Sequence, residues 1–106
     1  MAESLWRGFV GATGEEDPTV AATVVTLTLP TGFNQANGRA VIQVRTAAIL
    51  FTLNGVDPTA TDYTTGSEVR SGSSLTVYGS EMGALKMIRA TATSAEVHVR
   101  YETRVA

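Results

Sequence analysis

The chain has 106 residues, a length typical of one domain, and its hydrophobic fraction of 43% is enough to form a core. It contains no cysteine, which excludes disulfide bonds and thiolate chemistry. The net charge is −2, and the eight basic residues are scattered rather than grouped as successive phosphates would require. No apolar run approaches the roughly 20 residues that span a bilayer. We therefore predict neither nucleic-acid binding nor a membrane partner.

The first 20 residues differ from the rest of the chain. An apolar segment at 5–10 is followed by a polar, acidic stretch at 11–18 that is rich in glycine. Two interpretations stay open: a first strand joined to the domain by a long loop, or an arm and linker over 1–20 that docks on a neighbouring subunit. The second gives a β domain at 21–106, and it favours interface anchors among the apolar and aromatic residues. These candidate partner-binding residues are Leu5, Trp6, Phe9 and Val10.

From residue 21 onward, apolar and polar residues alternate in short runs separated by turn residues. This pattern predicts strands over 22–29, 39–46, 49–53, 68–70, 75–78, 85–92 and 96–105. No segment has sustained helical periodicity, and 81–86 is long enough for a single helical turn at most. The predicted fold class is all-β, a small antiparallel β-sandwich, Ig-like or jelly-roll-like, of about six to eight short strands.

The strand faces can also be predicted from the alternation. In the last strand, Val97, Val99 and Tyr101 are expected to face the core, whereas His98 and Arg100 are expected to face outward. The dipeptide Asn54-Gly55 is a strong turn signal after the strand at 49–53.

No arrangement of residues in the sequence predicts catalysis, a cofactor or a metal site. His98 is the only histidine, and without cysteine or a Gly-x-Ser-x-Gly motif it lacks a recognisable nucleophile, so we interpret it as a surface or interface residue. The acidic run 15–17 should point in divergent directions. Asp57 and Asp62 lie in one loop and could offer oxygens to Ca²⁺, although solvated turn residues are the usual case.

One segment resembles a known family. Residues 49–60 read ILFTLNGVDPTA, which is similar to the strand and Asn/Asp-Gly, Pro-Thr-Ala turn of small tailed-phage virion proteins. The likeness continues through MIRA at 87–90 and VHVRY at 97–101, and it covers about residues 38–102. The same turn is also similar to the C-terminal accessory β-sandwich of chitobiase-like glycosidases. A turn signature supports a fold better than it supports a function.

The phage resemblance implies a non-enzymatic structural protein, foremost a capsid decoration or cement protein that binds the assembled capsid and stabilises it. Its partner would be the major capsid protein or another virion protein. A homo-oligomer is implied, with a trimer favoured by the symmetry of capsid junctions. The chain opens with an acidic residue and no signal peptide is predicted, so it would be made in the host cytoplasm and located in the virion. The alternatives are a neck or tail component and a carbohydrate-binding β-sandwich module.

Overall fold

The protein is an all-β sandwich of two antiparallel sheets, which confirms the predicted fold class. A computed structural model describes residues 9–59 and 66–104, with side chains for 14–59 and 66–103. The elements are β1 (Phe9–Glu16), β2 (Thr19–Val20), a 3₁₀ turn (Gln35–Asn37), β3 (Gly38–Val44), β4 (Ile49–Thr52), β5 (Ser67–Val69), β6 (Ser74–Tyr78), α1 (Glu81–Ala84), β7 (Lys86–Arg89) and β8 (Ala95–Arg104). Among these residues, no helix is long and apolar enough to span a membrane.

The larger sheet is organised around the last strand. Its strand order is β1-β8-β3-β6, and β2 also pairs with β8. The smaller sheet has the order β5-β4-β7. Strand β8 therefore lies between β3 and the first strand of the chain, so that the two ends of the described sequence are joined in one sheet.

The core lies between the two sheets and is formed by alternate residues of their strands. In β8 the inward residues Val97, Val99 and Tyr101 are at most 1% exposed, which confirms the predicted face. The other large side chains that are buried to the same degree are Val20, Ile42, Val44, Ile49, Val77, Met82, Leu85 and Met87. Full burial of such a side chain stabilises the fold by roughly 1.5–3 kcal/mol.

The smaller sheet is also covered on its other face. Leu50 and Ile88 pair across β4 and β7 and form a second apolar cluster with Ala90. The chain folds back over this cluster, because a Cβ atom on Gly66 would lie 3.3 Å from Cβ of the buried Pro58 and 3.4 Å from that of Leu50. The loop between β4 and β5 is thus packed against the sheet at Pro58 and at Gly66.

The predicted turn at Asn54-Gly55 is confirmed. Gly55 has φ +82°, a backbone conformation that favours glycine. The Asn54 side-chain oxygen accepts a hydrogen bond from the Val56 N–H at 3.1 Å, and the Thr52 hydroxyl donates to the Val56 carbonyl. Asp57 pairs with Lys86, with 2.7 Å between Oδ1 and Nζ, whereas Asp62 lies outside the described residues.

Two segments differ from the sequence expectation. Residues 22–29 were predicted to form a strand, but only Val25 pairs, in an isolated bridge with Met87. The alternation there reflects burial, because Val25, Leu27 and Leu29 pack against the core without a strand partner of their own. Residues 11–16, expected as part of a linker, belong instead to β1, since β8 supplies the partner for their backbone groups.

Candidate functional site

Strand β1 carries part of the predicted partner-binding segment. Its register places Phe9 opposite Arg104 and Val10 opposite Thr103, while their side chains lie outside the described residues. Leu5 and Trp6 also lie outside them. Partner binding by these four residues therefore stays a prediction. What can be described is how β1, which contains Phe9 and Val10, is held on the sandwich.

On the core side, β1 is fixed through Glu16. The hydroxyl of Tyr101 donates to Glu16 Oε2, and the same oxygen accepts the Thr28 N–H at 3.0 Å. Burial, and then the hydrogen bond to Glu16, raise the pKa of Tyr101, so the phenol remains the donor. Opposite Tyr101 in β1 stands Gly14, where a Cβ would lie only 2.7 Å from Cγ of Pro30. A side chain at position 14 would therefore push β1 away from the loop that holds Pro30.

On the outer side, β1 is fixed through the single histidine. His98 Nε2 lies 2.6 Å from Glu15 Oε1, and Nδ1 lies 2.7 Å from Asp17 Oδ1. A neutral imidazole has only one N–H and cannot donate to both carboxylates, so this arrangement requires the imidazolium. The hydrogen bond to Asp17, followed by the one to Glu15, raises the pKa of His98. We call these three residues the histidine clip.

We expect the histidine clip to weaken as pH rises. Because the pKa of His98 is raised by folding, its stabilisation is complete below the ordinary value of 6.5 and is lost as pH rises through the higher folded pKa. A proton NMR titration of the lone imidazole should give a pKa above 6.5. The variant Asp17→Asn should lower that pKa towards 6.5. A wild-type value at or below 6.5 would contradict the clip.

Next to the clip, a buried carboxylate joins β8 to β3. Glu102 is 3% exposed and lies opposite Arg39 on β3. Its Oε1 is 2.6 Å from Arg39 Nη2, and its Oε2 is 2.6 Å from Arg100 Nη2. Burial alone would raise the pKa of Glu102, but the hydrogen bonds from Arg100 and Arg39 outweigh it and lower that pKa. We call Glu102, Arg39 and Arg100 the carboxylate triad, after the single carboxylate that both arginines bind.

A shallow cavity of about 210 Å³ lies on the same outer face. It is lined by Val41, Gln43, Arg45, His98 and Arg100. Its chemistry is basic, but two of its cationic groups are already bonded to carboxylates of the clip and the triad. Among the side chains that the structure describes, no group of three His, Cys, Asp or Glu residues is arranged so that it could hold a metal ion. The ion pairs on the outer face thus tie β8 to β3 and to β1.

Sequence reasoning placed His98 outward but missed the partners that it meets. The run 15–17 diverges only in part, since Glu16 points to Tyr101 whereas Glu15 and Asp17 converge on His98. The signal for the clip and the triad was the spacing of His98, Arg100 and Glu102, which puts all three on one face of a strand. The chain matches no family model, no curated protein and no solved structure. Its function is therefore argued from its own residues.

Proposed function

We propose that the chain is a non-enzymatic structural protein of a tailed-phage virion, a capsid decoration protein that binds the assembled shell and stabilises it. The observation that carries the proposal is the turn at 49–60, whose residues resemble those of small virion proteins. Its key positions have structural roles that fit the resemblance, since Gly55 has positive φ and Pro58 is buried.

The proposed mechanism is physical. A protein that is bound on the assembled lattice, but not on free capsid subunits, shifts the equilibrium towards the closed shell by mass action. Its partner is the major capsid protein or another virion protein. Symmetry where capsid subunits meet favours a homotrimer. Leu5, Trp6, Phe9 and Val10 are the proposed anchors, and the attachments of β1 to β8 would join them to the sandwich.

The test of the virion role is whether the protein co-sediments with purified particles of the phage that encodes it, and in how many copies. A copy number comparable to that of the major capsid protein is expected for decoration. A few copies per particle would instead indicate a neck, tail or vertex position. No copies would overturn the virion proposal.

The anchoring role is tested separately. The double variant Leu5→Ser with Trp6→Ser changes residues that precede β1, so it should abolish binding to particles while leaving the melting temperature within about 2 °C of wild type. The control is Val56→Ser, which removes an apolar side chain that is 50% exposed and should change neither quantity. Equal loss of stability and binding in the double variant would contradict an anchor.

Carbohydrate binding is the second candidate, and one observation favours it. Tyr78 is 50% exposed on the outer face of the larger sheet, where an aromatic ring could stack on a sugar. Tyr101, another candidate for such a platform, is buried and does not serve. A glycan array separates the two functions: selective glycan binding that Tyr78→Ala abolishes, together with no binding to particles, would replace the decoration proposal.

A further inference from the structure

Among the residues that the structure describes, β6 is an edge strand of the larger sheet and pairs only with β3. This strand pairs with β3 in an unbroken register, from Arg39 opposite Tyr78 to Gln43 opposite Ser74. Hydrogen bonds from the Gly79 N–H to the Gly38 carbonyl and from the Val44 N–H to the Ser73 carbonyl fix which residues face β3. Because hydrogen-bonding direction alternates along an antiparallel strand, the remaining residues turn their backbone groups outward. These are Ser74, Thr76 and Tyr78.

The outward groups of β6 differ in their partners. The Tyr78 N–H donates to Glu81 Oε1 at 3.2 Å, so α1 covers that end of the edge. Ser74 and Thr76 are exposed, and their N–H groups have no acceptor among the described residues. The segment 73–78 also contains no charged residue and no proline. The edge therefore offers backbone donors and acceptors to another strand.

The other edges carry features that prevent pairing. Strand β1 has two register shifts and carries Glu15 of the clip. Strand β7 is covered, because Val25 exchanges backbone hydrogen bonds with Met87 and the Ala21 carbonyl accepts from Arg89. Strand β5 is three residues long and bears the exposed Glu68. Bulges, charges, cover and short length all protect edges, whereas β6 is five residues long and has no bulge, charge or cover over Ser74–Thr76.

We propose that a second copy of the chain pairs with β6, antiparallel about a two-fold axis that passes through Leu75. In this register Ser74 lies opposite the partner's Thr76, and each such pair exchanges both of its N–H···O bonds. The bond from Tyr78 to Glu81 is left intact. No like charges meet across the axis, so the segment is complementary to itself.

The partial burial of Leu75 also favours a second copy of the chain as the partner of β6. Leu75 is half-buried and packs against the core from the edge strand, so it retains exposed apolar area. On the two-fold axis it would contact its counterpart, which extends the core across the joined sheets. This inference is carried by the strand edge alone and is independent of the virion proposal. It predicts a two-fold contact in solution, distinct from a three-fold capsid junction.

The decisive variants change Thr76. Thr76→Pro removes the outward N–H and spares the bonds to β3, a position where proline is tolerated in an edge strand. Thr76→Val is the matched control, since it changes the side chain and keeps the N–H. Light scattering should give wild type and Thr76→Val twice the 11.1 kDa chain mass, with the proline variant at the single mass. If the proline variant does not fold, Thr76→Lys takes its place. Its charge at the strand edge opposes pairing with a second copy, so this variant should also be monomeric.

Amide hydrogen exchange supplies a second readout. The Ser74 and Thr76 amides should be protected at high protein concentration and exchange more than tenfold faster on dilution, whereas Leu75 and Val77, which bond to β3, stay protected throughout. A monomer at all concentrations would overturn the proposal. So would a trimer that Thr76→Pro leaves intact, or a dimer that is lost on deleting residues 1–8 rather than on changing Thr76.

Discussion

Replacing Tyr101 by alanine is expected to lower the free energy of unfolding by about 3–5 kcal/mol. The ring is 1% exposed, lies in the core and meets Phe33 edge-on with 5.5 Å between ring centroids. Truncation would leave a cavity between β1 and the loop that holds Phe33. It would also remove the phenol that donates to Glu16 and fixes β1 to β8. Urea unfolding followed by circular dichroism measures this loss.

Two controls separate the parts of this effect. Tyr101→Phe keeps the ring and removes the hydroxyl that donates to Glu16, so it should cost about 1–2 kcal/mol, because the carboxylate still accepts the Thr28 N–H. Tyr78→Ala truncates a tyrosine that is 50% exposed and should cost less than about 1 kcal/mol. If Tyr101→Ala cost no more than Tyr78→Ala, the ring would not be part of the core.

The sequence predicted the strand faces well because side-chain alternation records burial directly. Val97, Val99 and Tyr101 were expected inward and are buried, and the turn at Asn54-Gly55 follows from the positive φ that glycine accepts. The same signal fails at 22–29, where Val25, Leu27 and Leu29 are partly buried although the segment makes only one bridge. Alternation shows which side chains meet the core, but not whether the backbone has a neighbour.

The partners that meet in the clip and the triad could not be predicted, for a different reason. His98 meets Glu15 and Asp17, residues more than 80 positions away, and a single sequence carries no record of such a long-range pairing. The acidic, glycine-bearing stretch at 11–16 has the composition of a linker, and only its partner β8 makes it a strand. The sequence also does not predict that Glu102 is buried. Its burial depends on ion pairs with arginines from two different strands.

The second large effect is expected at this carboxylate. Glu102→Gln keeps the shape of the side chain but leaves Arg39 and Arg100 facing a neutral amide. Removing one charge from a fully buried network costs about 3–5 kcal/mol. The arginine side chains are 29% and 52% exposed, and solvent screening should reduce the loss to about 1–3 kcal/mol at pH 7. The free energy of unfolding in urea, compared with wild type, measures it.

The pH dependence distinguishes a charge effect from a packing effect in Glu102→Gln. Folding lowers the pKa of Glu102 from its ordinary 4.5, so its stabilisation is present above that value and is lost as pH falls through the lower folded pKa. The difference between wild type and Glu102→Gln should therefore be largest near neutral pH and shrink in acid. The exposed Glu68→Gln serves as the control and should change little. A difference that stays constant from pH 7 into acid would mean that the charge of Glu102 is not what joins β8 to β3.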